Sequence, residues 1–295
     1  MYLLIVSILR LIFGGVGNIL VLSIYRFSTD NNSQGYYISC LALTDLTATF
    51  LQLGVPISRY TGATTRYSVL CKLYGFSFGL PGCLSAVILF VVAVDRYLKI
   101  CKNNNILTKW RKTVTVVSCL AVLIAVVPKA FMTDIVEVEF SNVTERICRV
   151  NNDYRTYFGL ILLAISVCMI IVMSILYVQI IRTIQKHFKK NDKLKQDKPL
   201  ANAANLDLDR LSKRNIRVTK KMSVVFIVVS ITFFVSYIPF LCVFISGFKG
   251  SLFSIMFHVY NIGSMTNPYV FLYMDPRCRS RVKSLLQRCM KGTAS

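Results

Sequence analysis

Ionisable groups stand inside or beside long apolar segments, where charge is costly and therefore informative. Asp45 lies within Leu41-Ala42-Leu43-Thr44-Asp45-Leu46, and Asp95-Arg96-Tyr97 follows an apolar run from Ala86 to Val94. If these segments cross a membrane, an ionised side chain at the bilayer centre costs roughly 2.5–3.5 kcal/mol on insertion scales, so each group needs a compensating role. Asp45 is therefore either a protonated structural acid or the carboxylate of a cation site.

A cation site at Asp45 would need further polar groups facing the same point. The candidates in other apolar segments are Asn18, Ser85 and Asn267. Asn267 precedes Pro268, which lacks a backbone N–H and frees a carbonyl one turn earlier, so we expect a kink there. The sequence thus predicts a hinge beside a polar cluster.

Arg96 has two interpretations. An arginine near a helix end most often extends to the membrane interface and serves only as an anchor. Alternatively, Asp95 neutralises Arg96 at rest, and the released guanidinium meets a carbonyl or a partner helix at the cytoplasmic face.

Composition indicates a membrane protein. The 295 residues are 55% hydrophobic and 16% charged, with a mean hydropathy of +0.57 and a formal net charge of +22. Such values argue against a soluble enzyme. The basic residues lie in blocks between apolar runs, whereas a nucleic-acid-binding protein spreads them over a hydrated surface, so we expect no nucleic-acid partner. Two His residues and no Cys-x-x-Cys pair give a zinc or haem site little support.

The apolar runs are long enough to span a bilayer. A spanning helix needs about 20 largely apolar residues, and seven segments qualify: roughly 2–25, 36–58, 70–100, 111–131, 156–184, 218–246 and 252–274. The segment from about residue 188 to 217 is rich in Lys, Asn and Asp, contains Pro199 and lacks apolar periodicity. This composition predicts a flexible loop. The chain therefore divides into a seven-span domain over 1–275 and a cytoplasmic tail over 276–295.

Charge asymmetry predicts the orientation. Most of the 35 Lys and Arg residues follow spans one, three and five or lie in the tail, which places these connections in the cytoplasm and the N-terminus outside. The glycosylation sequon at Asn142 falls on the predicted outer side. Cys71 and Cys148 lie on that side too, where a disulfide can persist.

The outer segment from Thr133 to Asn152 has strand periodicity. Ile135 to Phe140 alternates apolar and polar residues, and Ile147 to Val150 is placed to pair with it, so we expect a β-hairpin. Its acidic residues predict either attraction of a basic peptide or a merely solvated acidic loop; they are Asp134, Glu137, Glu139 and Glu145.

The tail after Pro276 predicts an amphipathic helix on the inner leaflet. Basic residues surround apolar positions at helical spacing: Cys278, Val282, Leu285, Leu286 and Cys289. Cys278 and Cys289 are candidates for palmitoylation.

These features together resemble the rhodopsin-like (class A) G-protein-coupled receptors. The matching motifs occur in the family's order: Gly17-Asn18, Leu41-Ala42-Leu43-Thr44-Asp45, Cys71 with Cys148, Asp95-Arg96-Tyr97, Phe233 with Ser236-Tyr237-Ile238-Pro239, and Asn267-Pro268. The resemblance implies an all-α membrane fold, a seven-transmembrane helix bundle, and a plasma-membrane receptor rather than an enzyme. It also implies a disulfide between Cys71 and Cys148.

The resemblance further implies sites and partners. Activation and coupling to heterotrimeric G proteins would involve Asp95, Arg96, Tyr97, Tyr177, Pro239, Asn267 and Pro268. Arrestin and membrane lipids are further expected partners, and no cofactor is expected apart from an allosteric sodium ion at Asn18, Asp45, Ser85 and Asn267. Departures from the family pattern include Tyr237 for its tryptophan, Phe271 for its tyrosine, and no acid near Thr219.

The sequence constrains the identity of the ligand less than it constrains the fold. Phe78 stands where amine receptors carry Asp, and Asn261 where opsins carry the retinal Lys, so neither ligand is expected. An aromatic set is either a ligand pocket or core packing: Gln52, Tyr74, Phe78, Tyr237, Phe240, Phe244, Phe257 and Tyr260. The hairpin and a weak similarity to cholecystokinin and orexin receptors favour a neuropeptide. The alternatives are a small lipid or organic-acid ligand, or a transporter or channel that uses Asp45 as an ion relay.

Overall fold

The protein is a bundle of long helices with one short hairpin at one end. The computed structural model describes residues 5, 8–26, 33–104, 106–140, 143–196, 203–247 and 251–292. A π-helical turn, Leu11–Gly15, leads into α1. The long elements follow in chain order: α1 Val16–Arg26, α2 Ser33–Tyr60, α3 Ser68–Cys101, α4 Ile106–Phe131, β1 Thr133–Phe140, β2 Val143–Val150, α5 Asn152–Gln196, α6 Ala203–Ser246, α7 Ser251–Met274 and α8 Pro276–Gly292.

A bilayer offers no water to hydrogen-bond the backbone. Long apolar segments therefore form helices, in which the backbone N–H and C=O groups bond to each other. By length and composition alone, five helices in the described part of the chain could cross a membrane: Ile8–Tyr25, Ser68–Cys101, Lys109–Phe131, Asn152–Lys186 and Lys220–Ser246. With α2 and α7 they make up a seven-helix bundle.

Helix α3 is the central helix, since it packs against α2, α4, α5 and α6. Helix α1 approaches α7 closely, because Gly17 carries no side chain. A β-carbon built there would lie 2.9 Å from Cγ of Pro268. Pro268 and Pro239 both lie inside continuous helices, α7 and α6.

A two-stranded antiparallel hairpin covers one end of the bundle, which we call the hairpin end. Thr133 pairs with Val150 and Phe140 with Val143. Cys148 in β2 forms a disulfide with Cys71 in α3, and Thr133 packs against Gly75. The hairpin is thus tied to the central helix by a covalent bond and by a close contact.

The segment expected to be a flexible loop over about 188–217 is mostly helical, so that prediction was wrong for the described part. Helix α5 continues to Gln196 and α6 begins at Ala203, while Pro199 lies outside the described residues. The physical reason is intrinsic propensity: Lys, Leu, Gln, Ala and Arg dominate these stretches and all favour helix. Apolar periodicity is not required where a helix extends into water.

Helix α8 follows directly after α7, as the tail pattern predicts. Tyr25 of α1 donates a hydrogen bond to the Asp275 carboxylate, and Nη1 of Arg281 donates to the Ile24 carbonyl at 2.6 Å. These contacts fix the start of α8 beneath the end of α1. This end of the bundle, opposite the hairpin, is called the α8 end below.

Candidate functional site

The α8 end of α3 holds a buried ion pair. Nη2 of Arg96 lies 3.1 Å from Oδ2 of Asp95, and both side chains are 1% exposed. Burying two charges costs several kcal/mol each unless they pair, so removal of either partner strands the other. The pair therefore holds the guanidinium inside the helix bundle rather than at an interface with water.

Helix α6 covers this pair. The ring of Phe226 lies 6.0 Å from Cζ of Arg96, and Phe226 also packs edge-on against Phe271 of α7. Tyr37 of α2 and Tyr177 of α5 are buried, and Tyr97 is half-buried. Of the activation residues expected from the sequence, Asp95, Arg96 and Tyr97 of α3 and Tyr177 of α5 lie here. The others lie elsewhere in the bundle: Asn267, Pro268 and Pro239. In this arrangement Arg96 is closed off from any partner outside the bundle.

A second polar cluster lies deeper, around Asp45. Nδ2 of Asn267 donates a hydrogen bond to Oδ2 of Asp45 at 2.8 Å, which joins α7 to α2. Asn18 donates instead to the Gly14 carbonyl of its own helix, and Ser85 is buried. The structure therefore brings together Asp45 and Asn267, while the amide N–H group of Asn18 serves its own helix.

This cluster offers oxygen atoms to a cation. Oδ1 of Asn267 is buried and has no hydrogen-bond partner among the described residues, and Asp45 is 2% exposed. Oxygen atoms of this kind suit a hard cation such as sodium. The described residues contain no group of three or more His, Cys, Asp or Glu side chains that could hold a metal ion.

The aromatic set expected to bind ligand packs mainly against itself, between α6 and α7. The rings of Phe240 and Tyr260 stack with centroids 5.1 Å apart, and Tyr237 lies 5.6 Å from Tyr260. Phe244 and Phe257 contact Phe240 and are half-buried. The side chains of Tyr74 and Phe78 lie outside the described part. Core packing therefore accounts for most of this set.

Tyr237 also lines a cavity of about 120 Å³ between α3, α4, α5 and α6. Its walls include Cys83, Val126 and Phe158. The absence of a side chain at Gly82 makes room for the neighbouring rings, since a β-carbon there would lie 2.8 Å from the Tyr260 hydroxyl. The small apolar cavity reaches the centre of the bundle.

Lys129, a basic residue near one end of the predicted span 111–131, is buried. It is 3% exposed, and its Nζ lies 4.9 Å from the Phe244 ring centroid and 5.9 Å from that of Phe158. The missing side chain of Gly79 leaves the space that this amine occupies. Two aromatic faces thus stabilise the charge through cation–π contacts.

Arg10 is a second buried cation with no role expected from the sequence. It is 6% exposed at the start of the π-helical turn, and its Nη1 donates to Oε1 of Gln52. The signal was present, since an arginine within a spanning segment is rare and functional by default. Gln52 is one of the residues that the sequence offers as a ligand-binding candidate, and it contacts Arg10.

Two of the four acidic residues of the hairpin stand opposite basic residues, whereas Glu139 stands opposite Thr144 and Glu145 opposite Val138. The register places Asp134 opposite Arg149 and Glu137 opposite Arg146, and Asp134 also lies 3.9 Å from Lys72. Opposite charges at facing positions neutralise each other. The hairpin is therefore a weaker attractor for a basic peptide than its acidic residues alone suggest. Asn142, the sequon residue, lies outside the described residues.

Cys278 does not suit the palmitoylation expected of it. Its side chain is fully buried, and burial together with the neighbouring Asp275 raises the pKa of the thiol to about 11. Transfer of an acyl group needs an exposed thiol that can ionise. The side chain of Cys289, the other candidate, lies outside the described part.

Two comparisons relate the chain to known proteins. A family model described as "7 transmembrane receptor (rhodopsin family)" matches residues 17–271. Among solved structures, squid rhodopsin is similar with a TM-score of 0.73 and 16% sequence identity, over 98% of this chain and 85% of that one. At this identity the structural match shows the shared fold alone.

Proposed function

Because the chain belongs to the rhodopsin family of seven-transmembrane receptors, we propose that it binds an extracellular ligand at its hairpin end and activates heterotrimeric G proteins at its α8 end. As a member of this family it is a multi-pass membrane receptor and not an enzyme. Family membership also sets aside a transporter or channel that relays ions through Asp45.

The observation that carries the proposal is the burial of Arg96. A guanidinium that is 1% exposed and paired with Asp95 cannot meet a partner outside the bundle. It can do so only if α6, which covers it through Phe226, moves away. The helices thus form a closed arrangement around Arg96, and a second arrangement with Arg96 uncovered would be the one that binds G protein.

The hairpin supports a peptide as the ligand. Its strands are held over the bundle by the disulfide between Cys71 and Cys148, and the edge of a two-stranded hairpin offers backbone groups to an extended chain. A small lipid or organic acid bound by the same family of receptor is the alternative, favoured by the apolar walls of the cavity beside Tyr237.

A sodium ion at Asp45 is part of the proposal. The unpartnered Oδ1 of Asn267 beside a buried carboxylate supports it. The positive charge of Arg10 acts on Asp45 from the hairpin side, although the two side chains form no ion pair. That charge would lower the affinity of Asp45 for a second cation.

The remaining partners follow from orientation. With the hairpin end outside the plasma membrane, Asn142 would be glycosylated, and the N-terminus would be extracellular. The basic α8 would lie against anionic lipids of the inner leaflet, and arrestin would compete with G protein for the uncovered Arg96. Protease protection of epitope tags at the two termini in sealed vesicles tests this orientation.

The experiment for the ligand is a peptide-library screen of second-messenger output in transfected cells. Arg96→Gln, matched for surface expression, is the control, since it removes the coupling charge and leaves the hairpin end untouched. A peptide that raises the output of the parent and not of Arg96→Gln supports the proposal. Equal responses in both would show that the peptide acts elsewhere.

A further inference from the structure

Buried hydrogen-bond donors gather at the hairpin end between α1, α2 and α7. Nε and Nη2 of Arg10, Nε2 of Gln52 and Nδ2 of Asn261 are each buried, and none has a hydrogen-bond partner among the described residues. Buried polar groups are almost always satisfied in folded proteins, so unsatisfied ones call for an explanation. All four of these atoms are donors, and none is an acceptor.

Packing places these residues at one level of the bundle. One turn deeper, a β-carbon on Gly14 would lie 3.3 Å from Cγ of Met265 and 3.7 Å from Oγ1 of Thr49. Arg10 and Asn261 precede Gly14 and Met265 by four residues, and Gln52 follows Thr49 by three. Residues three or four apart share a helix face. The three donor side chains therefore face the same space between the helices.

The charge at this level is positive. Gln52 is the residue that accepts a hydrogen bond from Arg10, and it is neutral. Asp45 attracts Arg10 electrostatically, but it lies deeper in the bundle. Its carboxylate accepts a hydrogen bond from Asn267. Two guanidinium nitrogens and two amide nitrogens here donate to no acceptor among the described residues. Such a set of donors suits a carboxylate, which accepts several hydrogen bonds at once.

We propose that Arg10, Gln52 and Asn261 form a binding site for an anionic group, and that the extracellular ligand supplies this group as a carboxylate. The inference rests on the proposed receptor function and specifies its ligand: a molecule with an acidic end that enters from the hairpin end. Binding of the acid would give these buried donors an acceptor.

The test uses the purified chain in nanodiscs of zwitterionic phosphatidylcholine, with the thermal unfolding midpoint followed by a thiol-reactive dye. Dodecanoate is the probe and dodecanol its uncharged match. Dodecanoate should raise the midpoint of the parent by about 3 °C or more, and dodecanol should not. In a separate arm without probe, the midpoint is measured at increasing concentrations of choline chloride, which tests whether chloride fills the site.

Variants separate a binding role from a structural one. Arg10→Met should keep or raise the midpoint without probe, because it removes an unsatisfied buried charge, and should abolish the dodecanoate shift. Lys129→Met, which removes the other buried cation of the hairpin end, should retain the shift. Asn261→Leu should reduce it, and serves as the second variant if Arg10→Met does not fold.

Several outcomes would overturn the proposal. These are an equal shift with dodecanol, or a full dodecanoate shift in Arg10→Met or, where that variant does not fold, in Asn261→Leu. Stabilisation by chloride that depends on Arg10 would also overturn it, since a resident ion would then fill the site. None of these measurements depends on signalling, so a result that overturns the anion site leaves the proposed coupling to G proteins standing.

Discussion

Asn267 donates a hydrogen bond to Asp45 across 222 residues of sequence, at 2.8 Å, and so joins α7 to α2 in the interior of the bundle. The residue after Asn267 is Pro268, whose ring lies against Gly17 of α1. One short stretch of α7 therefore makes specific contacts with two other helices. A displacement of α7 would disturb both contacts.

Sodium should stabilise the parent through Asp45. We expect the thermal unfolding midpoint to be higher in sodium chloride than in N-methylglucamine chloride at equal ionic strength, because the cation compensates a buried carboxylate. Asp45→Asn should lose the difference, and Arg10→Met should enlarge it. A difference of equal size in Asp45→Asn would show that sodium acts elsewhere.

Gly17→Ala should destabilise the chain. The added methyl would lie 2.9 Å from Cγ of Pro268, a ring that cannot turn aside, and overpacking of this kind costs about 1–3 kcal/mol. Gly15→Ala is the matched control, because its β-carbon would lie 3.5 Å from Leu11, an ordinary contact. Thermal unfolding in nanodiscs measures both, and equal midpoints for the two variants would contradict the close approach of α1 and α7.

Substitutions of the two disulfide cysteines should have non-additive effects on stability. Cys71→Ser and Cys148→Ser each remove the same bond, so each should lower the unfolding midpoint by the same amount, and the double variant should be no worse. A loop of this length predicts a loss on the order of 4 kcal/mol. Additive losses would mean that the two cysteines stabilise the chain independently.

Thr219→Glu should lower signalling in the absence of ligand. Position 219 precedes Phe226 by seven residues, two turns of α6, and so lies on the helix face that covers Arg96. A carboxylate there would attract the guanidinium and favour the closed arrangement. Lys220→Gln makes the same change in charge at an exposed neighbouring position and should leave the signal unchanged. Second-messenger output at equal surface expression is the measurement, and an equal effect of the two variants would argue for net charge alone.

Much of the fold could be predicted because it depends on local properties. Apolar length defines the spans, and alternation over Ile135 to Phe140 indicates the hairpin. The helical ends at 188–196 and 203–217 were missed because a search for apolar periodicity gives no weight to polar residues with high helix propensity.

The site was less predictable, since it depends on packing between helices. Asp45 and Asn267 were foreseen as neighbours, because each is a polar residue in an apolar span. Lys129 falls within the predicted span 111–131, but nothing in the sequence shows that its amine lies near two aromatic rings. Likewise, nothing in the spacing of Cys278 shows that α8 buries its thiol against the bundle.

The central claim is that Arg96, released from Asp95, activates G proteins. Asp95→Asn removes the negative partner while keeping the side-chain shape. If this substitution destabilises the closed arrangement by about 1.4 kcal/mol, the ratio of open to closed receptor rises roughly tenfold.

The direct measurement is nucleotide exchange on a panel of purified heterotrimeric G proteins, with the chain in nanodiscs and no ligand present. We predict that Asp95→Asn accelerates exchange on at least one heterotrimer about tenfold over the parent, and that adding Arg96→Gln to this variant abolishes the gain. The account would be contradicted if no heterotrimer exchanged nucleotide faster than it does without the receptor. It would also be contradicted if the gain survived the loss of Arg96.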